Sequence, residues 1–241
     1  MKNVMIVEDQ KMIRTLLEGY IRQEPGYRVT VSLAGAAQAP DLCCGIDLVL
    51  MDVQTEHREN GLTAARLIRQ RYPAVKNVVV TSLVDFAVLE QARAVGADSL
   101  WYKDAAPATL MDVVRRTMAG EHIFPDAPPP VEIGTARSTE FTRTVLKVLR
   151  YLVQGLPYGK IAEAMGVEVT TVKYHVTNML QNTDLDHKLQ LALAVSDSKF
   201  ITDLPELYFC RHRGCWPSHH PPPSTYQGRP FTTIPKDMVP T

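Results

Sequence analysis

Five short runs rich in β-branched and apolar residues recur along the first hundred residues, at Val4 to Val7, Tyr27 to Leu33, Asp47 to Met51, Asn77 to Thr81 and Ser99 to Tyr102. The segments between them repeat their apolar residues with helical period. Ile13, Leu16, Leu17, Tyr20 and Ile21 form one stripe, and Leu110, Val113, Val114 and Thr117 another. A strand-helix rhythm of this kind predicts a parallel sheet with helices on both faces, because parallel neighbours must be joined by crossovers. The rhythm stops after Gly120. The run Phe124-Pro125-Asp126-Ala127-Pro128-Pro129-Pro130 can neither hold a helix nor pair in a sheet, so it predicts an extended spacer. From Ser138 to about Lys199 the pattern is all helical, with Phe141, Val145, Val148, Leu149 and Leu152 on one face. The Pro, Ser and Thr-rich stretch from Pro217 to Thr241 predicts a disordered tail. The expected units are residues 1–120, a linker over 121–137, a helical domain over 138–200 and a tail over 201–241.

In a doubly wound sheet, ligands bind at the carboxyl ends of the strands where the strand order reverses. Glu8 and Asp9 follow the first run, and Asp52 follows the third. In the flavodoxin-like order these strands are neighbours, so the three carboxylates are expected to converge. Clustered carboxylates raise one another's pKa, and a hard divalent cation such as Mg²⁺ removes that penalty. The fourth run ends in Thr81-Ser82 and the fifth delivers Lys103, which adds a hydroxyl and an ammonium. A carboxylate nucleophile, a cation, a hydroxyl and an ammonium suit phosphoryl transfer, where catalysis is mostly positioning and charge neutralisation. Singly, each residue has a plainer reading: a helix-start acid, a loop cap, a solvated lysine.

With Gly96-Ala97-Asp98 before the fifth run, this set makes residues 1–120 resemble the receiver domain of bacterial response regulators. The resemblance implies that Asp52 is the phosphoacceptor. It implies that Glu8, Asp9 and Asp52, with the backbone carbonyl of Gln54, hold Mg²⁺. Thr81 then serves as the switch hydroxyl and Lys103 as the phosphoryl contact. Two positions depart from the receiver pattern. The loop Val53 to Gly61 is one residue longer than usual and lacks the Met-Pro pair, and Leu100 stands where a switch aromatic is common.

Ile161 to His175 reads as a helix, a glycine stop at Gly166 and a second helix, capped by Thr170 or a nearby polar residue. Val172, Val176, Met179 and Leu180 form its inward stripe. Its outward faces carry Thr171, Lys173, Tyr174, His175, Asn178 and Gln181, residue types that read base edges and phosphates in a major groove. Gln154-Gly155-Leu156, Ile161-Ala162 and Thr171-Val172-Lys173-Tyr174-His175-Val176 resemble the LuxR-type helix-turn-helix domain of the NarL class. That resemblance implies DNA contact through Thr171, Lys173, Tyr174, His175 and Asn178, and dimerisation through Leu189 and Leu193 on the closing helix.

Charge adds little. The chain has no net charge, and residues 137 to 200 carry 8 basic and 6 acidic side chains, so one copy binds DNA weakly and a homodimer on paired half-sites is expected. No apolar run approaches the roughly 20 residues of a membrane span, which points to the cytoplasm. Cys43, Cys44, Cys210 and Cys215 do not form a disulfide framework. Cys210, His212, Cys215, His219 and His220 match no compact zinc module.

The combined expectation is a two-component regulator: a sensor histidine kinase phosphorylates Asp52, and the change controls dimerisation and DNA binding. It is not an enzyme beyond slow self-dephosphorylation. Two alternatives remain. One is a phosphate-independent receiver acting only as a dimerisation module. The other is an aspartyl-phosphate hydrolase, disfavoured because Gln54 replaces the second acid.

Overall fold

The structure, a computed structural model, describes residues 1–201. The tail expected from residue 201 onward, with its Cys and His residues, lies outside the described residues except for Ile201, which is buried.

The chain opens with β1 (Lys2–Val7), α1 (Lys11–Gln23), β2 (Tyr27–Leu33) and β3 (Leu48–Met51). A two-stranded hairpin, β4 (Gln54–Thr55) and β5 (Glu59–Asn60), then leads into α2 (Gly61–Arg71). Next come β6 (Lys76–Thr81), α3 (Phe86–Ala94), β7 (Ser99–Tyr102) and α4 (Pro107–Met118). Five strands form one parallel sheet in the order β2-β1-β3-β6-β7, as the strand-helix rhythm predicts. The order reverses at β1, which puts the ligand end of the sheet at the tips of β1 and β3.

Alternation along the central strands sends side chains to two cores. Val4, Ile6, Leu48, Leu50, Val78 and Val80 meet α1 and α4 on one face. Met5, Val7, Val49, Met51 and Val79 meet α2 and α3 on the other. Each fully buried aliphatic side chain contributes roughly 1.5–3 kcal/mol, so the strand positions, and with them the strand ends, are tightly specified. The α1 stripe is narrower than its sequence suggests. Leu17 and Ile21 are buried, but Leu16 is 48% exposed because one residue's rotation carries it off the packed face.

The segment expected as a linker is not extended throughout. Ile123 bridges Ser99 in parallel, adding a last rung beside β7. Further on, β8 (Glu132–Ile133) and β9 (Ala136–Arg137) make a second hairpin, whose Ile133 and Ala136 are buried. Its turn glycine, Gly134, has φ +60°, and a Cβ there would come within 1.9 Å of the Thr183 carbonyl. The Thr135 amide donates to that same carbonyl at 3.0 Å, so the hairpin seals a helix end.

The rest is α5 (Arg143–Val153), α6 (Tyr158–Met165), α7 (Val169–Thr183) and α8 (Lys188–Asp197), gathered around Val148, Leu149, Ile161, Val172, Val176 and Leu191. Gly166 ends α6 in the left-handed region at φ +65°. The cap expected at Thr170 is absent. Glu168 stands at the N-cap without a side-chain hydrogen bond, and Thr170 lies one residue inside the helix. No helix among the described residues is long and apolar enough to cross a membrane.

Candidate functional site

Parallel register builds the acidic cup. Val7 lies opposite Met51, so the next residue of each strand emerges side by side. The Asp52 amide donates to the Val7 carbonyl and the Glu8 amide to the Leu33 carbonyl, both at 2.9 Å. One carboxylate oxygen from each of Glu8, Asp9 and Asp52 falls within 4.8 Å of the others. Glu8 is fully buried, Asp52 nearly so, and Asp9 is half-buried.

Lys103 enters from the tip of β7, its amide bonded to the Thr81 carbonyl at 2.9 Å. Its Nζ lies 2.6 Å from Glu8 Oε2 and 2.8 Å from Asp52 Oδ2. The second Asp52 oxygen accepts from the Val53 amide at 2.7 Å. Burial pushes the Glu8 carboxyl up to about 7, helped by the charge of Asp52 and opposed by Lys103. Burial also raises Asp52 above the usual carboxylate range, against the pull of Lys103. For Lys103, burial works to lower the pKa, but the Asp52 and Glu8 carboxylates outweigh it and hold the ammonium above its ordinary value. Three carboxylates served by one ammonium remain short of positive charge, so the donor set fits a hard divalent cation.

The longer loop after Asp52 is taken up by the β4-β5 hairpin. Thr55 Oγ1 accepts from the Ala36 amide at 3.1 Å and donates to the Glu59 carbonyl at 3.2 Å. Gly61 closes the loop against the acidic strand, where a Cβ would fall 1.8 Å from the Asp52 carbonyl oxygen. Gln54, with Asp9 and Asp52, borders an open cavity above the cup. Thr81 is buried, and its hydroxyl accepts from the Leu83 amide at 3.1 Å. Leu100 is buried on the same face of β7 as Tyr102. The Tyr102 hydroxyl is buried without a hydrogen bond among the described residues, and burial, then the charge of Asp85, pushes it up to about 12.

Sequence reasoning did not anticipate the roof of that cavity, which comes from the helical domain. The cavity, about 340 Å³, has Asp9, Asp52 and Ser82 on its floor and Lys199 and Ile201 above. The Val84 amide donates to the Lys199 carbonyl at 3.2 Å, and Lys199 Nζ donates to Ser82 Oγ at 3.2 Å. Nearby, Arg150 on α5 pairs at 2.9 Å with Asp85, which also caps α3 by accepting from the Ala87 amide. A capping residue type just before a helical segment, Asp85, is a sequence signal that could have drawn attention to this contact.

On α7, Val172, Val176 and Met179 are buried, while Thr171 and Lys173 are exposed and Tyr174 is 63% exposed. His175 and Asn178 are half-buried, and the Tyr174 and His175 rings meet edge-on at 5.7 Å. Thr171, Tyr174, His175 and Asn178 cluster around one side of the helix, and Lys173 lies round from them toward its flank. Leu189 and Leu193 stand out from α8, 67% and 55% exposed, while Leu191 and Val195 face inward.

Two family models match the chain. Residues 4–115 match the response regulator receiver domain, and residues 139–195 match the bacterial regulatory proteins of the luxR family. Together they span more than two thirds of it. The chain is a response regulator with a LuxR-type DNA-binding domain.

Among similar proteins, the response regulator protein VraR of Staphylococcus aureus strain N315 is 25% identical over 197 residues, covering 79% of this chain and 94% of that one. VraR of Staphylococcus epidermidis strain ATCC 12228 matches to the same extent. A structure of RcsB from Salmonella enterica serovar Typhimurium, bound to promoter rprA with the phosphomimetic BeF3⁻, superposes with TM-score 0.54 at 17% identity over 81% of this chain and 98% of that one. At that identity the likeness is one of fold. Regulation of transcription by a two-component response regulator follows from the two domains, receiver then LuxR-type.

Proposed function

We propose that this response regulator is cytoplasmic, that Asp52 is its phosphoacceptor, and that esterification of Asp52 by a sensor histidine kinase controls homodimerisation and DNA binding. The convergence of Glu8, Asp9, Asp52 and Lys103 in one buried cup carries the reading. In the reaction an Asp52 oxygen attacks the phosphorus of a phosphohistidine. The P–N bond breaks, the imidazole leaves with a proton, and an acyl phosphate remains. Glu8, Asp9 and Asp52, with the Gln54 carbonyl, would hold Mg²⁺, which supplies charge neutralisation at the phosphoryl oxygens. Lys103 is placed to move from the carboxylates to the new anion, and Thr81 to turn its hydroxyl toward it. The product is expected to hydrolyse slowly, because no further acid follows Asp52 at position 54.

The added charge of about −2 is read out by residues 138–200, joined to the receiver of residues 1–120 through 121–137. Thr171, Lys173, Tyr174, His175 and Asn178 form the base-reading and phosphate-contacting face, and Leu189 and Leu193 the apolar seam between two copies. Dimerisation places two such faces on adjacent half-sites, which offsets the weak charge of each.

A mobility-shift titration with and without beryllofluoride and Mg²⁺ tests the reading. Beryllofluoride should change DNA affinity in wild type and not in Asp52→Ala. Leu100, standing in place of an aromatic, favours a second reading, in which the receiver is a phosphate-independent dimerisation module. Wild type that binds DNA as a dimer and ignores beryllofluoride would establish it.

A further inference from the structure

The charges of the cup do not balance once Asp52 is esterified. With a divalent cation held by the cup, three carboxylates would face that ion and Lys103, which sums to zero. An acyl phosphate of about −2 in place of one carboxylate leaves a single uncompensated negative charge beneath the cavity. Among the described residues that wall this cavity, Lys199 is the cation. It belongs to the DNA-binding domain, 117 residues from the Ser82 hydroxyl that it contacts at 3.2 Å.

Lys199 is also held in place. It takes φ +54° at the end of α8, a left-handed conformation uncommon for lysine. Its carbonyl accepts the Val84 amide at 3.2 Å, two residues past Ser82. The next residue, Phe200, is buried and meets the Phe141 ring at 6.2 Å, which anchors the turn in the helical domain. Arg14 also lies near the cup, but its guanidinium is directed to the backbone carbonyls of Glu8 and Asp9 and does not wall the cavity.

We propose that Lys199 is a second phosphoryl-contacting cation, supplied by the DNA-binding domain to the receiver's pocket. The inference rests on the reading of Asp52 as phosphoacceptor and extends it. The output domain senses the state of Asp52 directly as well as through the receiver surface. Because coupling is reciprocal, whatever affinity Lys199 adds for the anion, the anion adds to the docking of the turn that carries Lys199.

The test measures beryllofluoride affinity in saturating Mg²⁺ by fluorine NMR on the full chain. Lys199→Gln should weaken binding roughly five-fold, the size of one partly solvated charge contact. Lys199→Arg should restore it, and Lys147→Gln, which removes an exposed charge elsewhere in the same domain, should leave it unchanged. If wild type binds and Asp52→Asn does not, yet Lys199→Gln binds as tightly as wild type or Lys147→Gln is equally weakened, the role of Lys199 is overturned and the phosphoacceptor stands. If wild type binds none, or Asp52→Asn binds as well, the phosphoacceptor reading falls and this inference with it.

Discussion

Replacing Lys103 by methionine keeps most of the side chain's volume and removes its charge, so it isolates what the ammonium does. Its Nζ lies 2.6 Å from Glu8 and 2.8 Å from Asp52, with 9% of the side chain exposed. Removing one partner of a buried ion pair costs about 3–5 kcal/mol, mostly from the charge left uncompensated. That cost has a definite pH dependence. Glu8 is already raised to about 7 with the ammonium present, and Asp52 is raised too. Without Lys103 both rise further. A raised carboxyl binds its proton more tightly in the folded state, so stability falls as pH climbs from the unfolded value toward the folded one. The deficit of Lys103→Met should therefore be largest at pH 8 and above in chelator, at about 3 kcal/mol or more, and shrink as pH falls toward the wild-type Glu8 value of about 7 and then further as Asp52 is protonated in both proteins. Mg²⁺ should also narrow it, since carboxylates freed of the competing ammonium bind the ion more tightly than those of wild type, and each ten-fold in Kd at saturating Mg²⁺ is about 1.4 kcal/mol. Amide exchange of the β1 and β3 peptides across a urea series reports on the receiver specifically. A deficit equal at pH 5 and pH 8, and unmoved by Mg²⁺, would refute the electrostatic account and leave packing as the role of Lys103.

Three further outcomes follow from the same geometry. Mg²⁺ affinity of wild type, followed by calorimetry, should rise with pH up to about 7 and then level off, because Glu8 must lose its proton to bind the ion. An affinity independent of pH between 5 and 8 contradicts the assignment of Glu8. Gly61→Ala forces a Cβ to 1.8 Å from the Asp52 carbonyl, so the loop or β3 must shift. A loss of at least 2 kcal/mol in urea denaturation, on the scale of overpacked cores, is expected, together with weaker Mg²⁺ binding. For the Asp85–Arg150 pair, a double-mutant cycle of Asp85→Asn and Arg150→Met should show about 1 kcal/mol of coupling, read from receiver amide exchange. Additive effects would mean that the pair does not tie the domains together.

The sheet was legible because its inner strands bury alternating residues on two covered faces, so Val4 to Val7 and Leu48 to Met51 read as β. The acidic cup was legible for a related reason. In-register parallel strands place consecutive ends together, which makes the residue after each apolar run a site residue. Finer features depended on rotations and contacts that periodicity does not encode. Leu16 differs from Leu17 by one helical step, and that step moves it from core to surface. Thr170 has capping chemistry but sits one residue too far along, and Glu168 starts the helix without a cap bond. The hairpin within residues 54–60 holds the extra loop residue by bonds of Thr55 and Glu59 to a distant turn. Least visible was the roof over Asp52. Asp85 meets Arg150 across 65 residues and Ser82 meets Lys199 across 117, both set by how two packed domains dock.

The switch depends on the carboxylate of Asp52 being the group that receives phosphorus. Incubation with acetyl phosphate and Mg²⁺, followed by intact mass and peptide mapping, measures that directly. Wild type should gain one phosphoryl group, mapped to the peptide holding Asp52 and lost on treatment with hydroxylamine, while Asp52→Ala gains none. An equal gain in both proteins, or a phosphoryl group mapped elsewhere, would contradict the account.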